Sequence, residues 1–233
     1  MRELFYTVEP FSDTVRLSEE EARHLVRVLR YDIGDRIQLT DGKGRLVTAV
    51  LTDTDYRHCT ANVEEIKEEY GRRPYRLHVG IAPTKSTDRL EWFLEKATEF
   101  GIDEITPIIC RHSERKDLRT ERLQKILLSA MKQSYQTYLP VLNEPLPFEK
   151  AITLESSQKF ICHLEEENPV SLKDACVTGG SHFVMIGPEG DFDERELAAA
   201  GSKGFRCVSL GPTRLRTETA GVAVCCTYSL LHQ

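Results

Sequence analysis

No stretch of this sequence is apolar for long enough to span a bilayer, and the opening residues, MRELFYTVEPF, lack the apolar core of a secretory signal. The expectation is a cytoplasmic protein without a membrane partner. Low-complexity segments and internal repeats are absent. Neither GxGxxG nor a P-loop GxxxxGK(S/T) occurs, which leaves nicotinamide-dinucleotide and P-loop readings without support. HExxH, GxSxG and any spaced Cys/His cluster are missing too. The seven cysteines are odd in number and contain no CxxC pair, so neither a disulfide framework nor a metal site is expected. They read as small hydrophobes in a reducing compartment. The seven histidines are scattered and read mostly as incidental. An excess of positive charge is lacking as well: the formal net charge is −6 and the pI about 5.7.

What is present describes a globular chain of 233 residues, 40% hydrophobic and 29% charged, long enough for one large or two modest domains. The bases cluster despite the acidic sum, in RHLVRVLR (23–30), GRRPYR (71–76) and RHSERKDLRTER (111–122). Clusters of this kind allow a local phosphate-binding face.

The first seventy or so residues read as a β-rich unit with one helix. Ser18 to Glu21 has the form of a capping box, with Glu21 reaching back, and Ala22, Leu25, Val26 and Leu29 follow at helical spacing. Arg23, Arg27 and Arg30 recur at i, i+4 and i+7 and should share another face, either solvated or RNA-binding. EEIKEEYGRRP is the expected linker. From Tyr75 onward strands (YRLHVGIA, ITPII, FICHLE, HFVMIG, FRCVSL) are interspersed with helices (TDRLEWFLEKATEF, LRTERLQKILLSAMKQS, TETAGVAVCCTYSLL). Gly101 should end the first of these helices. The pattern predicts an α/β fold with a mainly parallel sheet. Ligands then bind beyond the carboxyl ends of the strands, in APTKS, CRHSER, HLEEEN, GPEGD and LGPTRLRTE.

Two of these loops leave their strands through glycine and proline. Pro188 cannot donate to a ladder, and Gly190 is expected to supply a turn conformation closed to most residues. Leu210-Gly211-Pro212 makes a similar exit. Such exits serve either as tight turns or as backbone shaped around a flat, adenine-like ligand.

Gly187-Pro188-Glu189-Gly190, Leu210-Gly211 and Leu215-Arg216-Thr217-Glu218-Thr219-Ala220 together resemble the RsmE type of 16S ribosomal RNA (uracil-N3)-methyltransferase, of the SPOUT class. The likeness extends through Lys85, Asp88-Arg89, Lys96 to Glu99, Gly101, Pro107, Gln133-Ser134 and Leu139-Pro140, nearly the whole chain. It implies a PUA-like RNA-binding domain at 1–70 and a trefoil-knotted SPOUT methyltransferase domain at 71–233. S-adenosylmethionine is the implied cofactor, held by Leu164, Ile186, Gly187, Pro188, Glu189, Gly190, Leu210, Gly211, Leu215, Thr219 and Ala220. The implied partners are a second copy of the chain, through the C-terminal helix, and 16S rRNA in the assembled small ribosomal subunit. Arg111 and Arg115 join the three N-terminal arginines as candidate RNA contacts. The chain departs from the family twice: Asp191 stands where a second glycine is usual, and Arg214 displaces the first arginine of the last loop by one position.

Uracil N3 is protonated at neutral pH, so methylation there requires a proton acceptor and stabilisation of negative charge on the ring oxygens. Arg216 is the candidate for that charge. Glu218 either orients the arginine, takes the proton, or simply places an acid in a first helical turn. Methylation of another RNA site, or RNA binding without catalysis, are the alternatives, and cofactor binding separates the last.

Overall fold

The computed structural model describes residues 3–115, 117–163 and 170–232. These divide into two compact units: residues up to Arg72 together with Met131–Leu139, and Arg73–Ala130 with the chain from Pro140 onward.

In the first unit, β1 (Leu4–Tyr6), β2 (Thr14–Arg16), β3 (Arg36–Thr40), β4 (Leu46–Asp53) and β5 (Thr60–Lys67) form one sheet in the order β1-β3-β4-β5-β2. Only the β1–β3 pairing in it is parallel. Alternation along β3 and β4 places Ile37, Leu39, Val47, Ala49 and Leu51 in a core that also receives Leu25. Helix α1 (Glu19–Arg23) begins at Ser18, whose side chain accepts from Glu21 N at 3.3 Å. The reciprocal half of the expected capping box gives way to another contact: the Glu21 carboxylate pairs with Lys132. The helix passes into a wider π turn over His24–Val28 and ends where Arg30 adopts φ +61°. The expected linker is partly strand, since β5 extends to Lys67. Residues 131–139 join this unit through contacts such as Leu139 N to Gly42 O at 2.8 Å and Thr40 Oγ1 to Thr137 O at 3.3 Å.

The second unit contains β6 (Tyr75–Ile81), α2 (Thr87–Phe100), β7 (Glu104–Ile109), α3 (Thr120–Gln133, its last residues in the first unit), β8 (Val141–Leu142), β9 (Leu146–Pro147), α4 (Phe148–Ala151), β10 (Gln158–Cys162), α5 (Leu172–Ala175), β11 (Gly180–Ile186), α6 (Glu194–Ser202), β12 (Arg206–Val208) and α7 (Thr217–Leu231). Its strands run in the order β12-β10-β11-β6-β7-β8, with β9 also on β7, and these pairings are parallel. Gly101, at φ +88°, caps α2 as expected. Helix α6 follows a reciprocal capping box between Asp193 and Glu196, a signal present in the acidic run after GPEG. Phe160, Phe183 and Met185 are buried in the sheet. Helix α7 packs closely on α2 at Gly221, where a Cβ would lie 2.5 Å from the Phe93 ring. Among the described residues, no helix is long and apolar enough to cross a membrane.

Candidate active site

Parallel pairing brings three strand ends level. Cys162 is opposite both Ile186 and Val208, so the chain leaves β10, β11 and β12 side by side. A cleft of about 500 Å³ opens there, lined from β10 by Cys162 and His163, from the β11 exit by Ile186 to Glu189 and Asp191, and from the β12 exit by Ser209 to Gly211 and Thr213 to Arg216.

The β11 wall is tightly built. A Cβ on Gly187 would meet the Phe192 ring at 3.1 Å, and Phe192 is itself buried near Phe148. The Gly187 carbonyl accepts from Thr217 Oγ1 at 3.0 Å, which fixes the start of α7 to the turn. Glu189 Oε1 accepts from Lys85 N at 3.1 Å, and Arg115 Nη2 donates to the Lys85 carbonyl at 3.1 Å. The left-handed residue is Asp191, at φ +61°, rather than Gly190 as the sequence suggested. Aspartate is among the residues that tolerate this region. The opposite wall is held mainly by backbone: Gly211 takes φ +133°, and Ser209 Oγ accepts its N–H at 3.1 Å. Arg214 Nη2 reaches the Glu189 carbonyl across the cleft at 3.4 Å.

Arg216 is exposed, lines the cleft and is the N-cap residue of α7, yet its side chain makes no cap hydrogen bond. That guanidinium is therefore not consumed in holding the helix. Glu218 is buried, and its charge partner is Arg89 of α2 at 3.7 Å, not Arg216; among the described residues Glu218 Oε2 has no hydrogen-bond partner. Cys162 carries a thiol rather than a thiolate: burial, then the Asp191 charge, push its pKa up to about 12. That argues against it as a nucleophile.

Of the residues expected at a cofactor, Ile186, Gly187, Pro188, Glu189, Leu210, Gly211, Leu215 and Ala220 line the cleft. Gly190 and Thr219 do not. Gly190 turns toward His112, whose Cβ would lie 3.1 Å from a Cβ placed there, and Thr219 is exposed on the first turn of α7. Leu164 lies outside the described residues. The π turn also changes the basic face in the first unit. Arg23 and Arg27 both stand over the Tyr56 ring, at 5.0 and 5.1 Å, with Arg57 at 5.5 Å, while Arg30 leaves the helix. Tyr56 and Arg57 lie some thirty residues further along the chain, so helical spacing gave no sign of them. Arg23 is also paired with Glu19 at 3.1 Å, and so is much of the basic charge elsewhere: Arg73 with Asp103, Arg76 with Glu104, Arg111 with Asp193 and Arg122 with Glu91. Among the described residues no group of three or more His, Cys, Asp or Glu converges as a metal site would require.

A parallel sheet whose ligand cleft is framed by glycine-bearing exits and exposed arginines suits an enzyme acting on a nucleic acid. Residues 71–229 match the RNA methyltransferase domain, and residues 17–64 match the RNA methyltransferase PUA domain. The chain belongs to the RNA methyltransferase family. It is 30% identical to the Ribosomal RNA small subunit methyltransferase E of Synechocystis, over 89% of this chain and 70% of that one. Among solved structures, a probable rRNA-methyltransferase from Porphyromonas gingivalis superposes with a TM-score of 0.90 at 38% identity, covering 99% and 98% of the two chains. A Ribosomal RNA small subunit methyltransferase E from Neisseria gonorrhoeae, bound to S-adenosyl methionine, superposes with a TM-score of 0.88 at 31% identity, again covering 99% and 98%.

Proposed function

We propose that this chain transfers a methyl group from S-adenosylmethionine to N3 of a uridine in 16S rRNA of the small ribosomal subunit. The observation that carries the reading is the cleft itself. Its volume of about 500 Å³ falls in the range of pockets for ligands of cofactor size. Gly187 and Gly211 bring backbone to two sides of the cleft, and Ile186, Val208, Leu215 and Ala220 supply apolar surface for an adenine. The residues present fit S-adenosylmethionine, which when bound supplies an electrophilic methyl on a sulfonium.

The protein's part is to receive a uridine at the open side, near Arg216. Before or during transfer the N3 proton must leave to solvent water at the open side, and charge then spreads onto the ring oxygens. Arg216, free of capping duty, is the group to stabilise it, because a guanidinium stays charged and directs planar donors. S-adenosylmethionine, held by Ile186 to Glu189 and Leu210-Gly211, would supply the methyl, the bonding pair staying on its sulfur. Glu218 is placed to act through Arg89, its ion-pair partner, and not as a direct partner of Arg216. Arg23, Arg27 and Arg57 around Tyr56 offer phosphate contacts with an aromatic face between them. Arg111 and Arg115 flank the β7 exit as further contacts for RNA.

A second copy belongs to the same reading. Along α7, Val222 and Cys226 are half-buried and Leu230 is 63% exposed, an i, i+4, i+8 apolar stripe suited to a twofold seam. The division into a PUA-like RNA-binding domain at 1–70 and a knotted catalytic domain at 71–233 is likewise part of the proposal, as is a cytoplasmic location. Single-turnover methylation of purified small subunits, with the product mapped by mass spectrometry, tests it. The expected product is one N3-methyluridine in 16S rRNA; modification of another RNA, or none, would overturn the assignment. Replacing Arg23, Arg27 and Arg57 with glutamine should flatten the salt dependence of RNA binding while leaving cofactor affinity unchanged.

A further inference from the structure

Asp191 stands where the family resemblance leads one to expect glycine, and it keeps the left-handed backbone that a glycine would supply. Unlike glycine, it brings a charge into the cleft. Four contacts hold the residue in place. Its N–H donates to the Pro188 carbonyl at 2.9 Å, and its Oδ1 accepts from Phe192 N at 2.8 Å. Its carbonyl faces His112 Nδ1 at 3.1 Å and its Oδ2 faces His163 Nδ1 at 3.0 Å. A carbonyl and a carboxylate only accept, so both imidazole nitrogens donate. His163 is itself part of the lining and comes from the neighbouring strand exit, so the pair bridges the β10 and β11 loops. With 42% of its side chain exposed, the carboxylate retains acceptor capacity toward the cleft.

The charges around it give that carboxylate a purpose. Arg214 and Arg216 bring two positive charges to the opposite wall. Glu189, the other carboxylate in the lining, is engaged by the Lys85 amide. A cation entering this cleft meets two repelling guanidiniums, and Asp191 is the acid best placed to offset them.

We propose that Asp191, oriented by His163, selects the positively charged methyl donor over its uncharged-sulfur product. This rests on the S-adenosylmethionine reading above. S-adenosylmethionine and S-adenosylhomocysteine share adenine, ribose and amino-acid groups and differ by one methyl and one positive charge. A fixed carboxylate in a partly enclosed cleft acts on that difference, and loses most of its effect when salt screens it. Selecting against product favours turnover by easing its release. Asp191 is thereby a specificity residue and His163 a positioning residue.

Calorimetric titration of the full-length protein with both nucleosides tests the proposal. Asp191→Asn keeps a residue suited to φ above zero and removes the charge. Asp191→Gly accepts the same backbone without strain and guards against a misfolded variant. In both, preference for S-adenosylmethionine over S-adenosylhomocysteine should fall by about three- to tenfold, mostly through weaker donor binding. The wild-type preference should shrink with rising salt, and that of Asp191→Asn should not. His163→Ala should lower the preference by a smaller factor. An unchanged ratio in Asp191→Asn and Asp191→Gly, or equal losses for both ligands, would overturn the selection role while leaving the methyltransferase reading intact. Failure of the wild-type protein to bind either nucleoside would sink that reading, and the selection role with it.

Discussion

At the exit of β11, nearly every residue from Gly187 to Asp191 is packed or bonded: Gly187 against Phe192 and Thr217, Glu189 against Lys85, Asp191 against His163 and Phe192. At the exit of β12, a Cβ on Gly211 would have nothing within 4 Å, and residues 212–214 and Arg216 are exposed. One wall is set by side-chain packing, the other by backbone conformation, with Arg216 exposed and Arg214 reaching only the Glu189 carbonyl. The packed wall suits a fixed binding surface. The open wall suits groups that must meet a large substrate, and the two should respond differently to substitution.

The largest effect is expected on the open wall. Arg216→Ala removes a guanidinium that makes no cap hydrogen bond, so α7 and the cleft should persist. The single-turnover methylation rate should fall by something on the order of 10²–10³, the scale of losing one oxyanion donor. Cofactor affinity should change much less, because the charge it serves develops in the transition state. Arg216→Lys should rescue poorly for want of the planar fork. A fall in cofactor affinity matching the fall in rate would erase the distinction between the walls.

On the packed wall, Gly187→Val should show the reverse pattern. The new side chain pushes on the buried Phe192 ring, and overpacking of this kind costs about 1–3 kcal/mol of stability. Chemical denaturation should register that loss, and calorimetry should register a parallel drop in S-adenosylmethionine affinity. Retained stability with lost affinity would mean the turn is softer than its contacts indicate. Gly211→Ala sharpens the contrast, since it meets open space and acts through backbone strain alone. The expected cost is about 1 kcal/mol, near the low end for a strained backbone position, with a several-fold loss of cofactor affinity.

These differences also mark what could be read in the sequence. The parallel sheet was legible because its strands are short apolar runs separated by helices with their own period, and α2 announced its end with Gly101. The cleft was legible because Gly-Pro exits interrupt β11 and β12. The π turn was not, since Leu25, Val26 and Leu29 satisfy an ordinary helix equally well; Arg30 leaves the expected face because the helix ends before it and it takes φ +61°. The contacts that bring residues 131–139 to the first unit, such as Thr40 to Thr137, span 97 residues, beyond the reach of any local pattern. The same holds for the pairing of His163 with Asp191 and of Arg89 with Glu218. Local spacing finds elements and turns; ion pairs between distant loops require the fold.

Gly190 gives the smallest expected effect and the most direct test of how the packed wall is drawn. From the sequence, Gly190 reads as a turn residue that the family resemblance puts at the cofactor. In the structure the space beside it belongs to His112, whose Cβ would be 3.1 Å from an added Cβ, and neither residue lines the cleft. Gly190 does not hold the positive φ either; Asp191 does. Gly190→Ala should therefore require a shift of a few tenths of an ångström in an exposed histidine and no change of backbone region. The expected change in S-adenosylmethionine affinity is less than about twofold, well under the factor of ten that 1.4 kcal/mol represents. Calorimetry on the folded variant decides it. A tenfold loss would show that His112, through its contact with the Asp191 carbonyl, transmits pressure into the cleft, and the packed wall would then extend to the β7 exit.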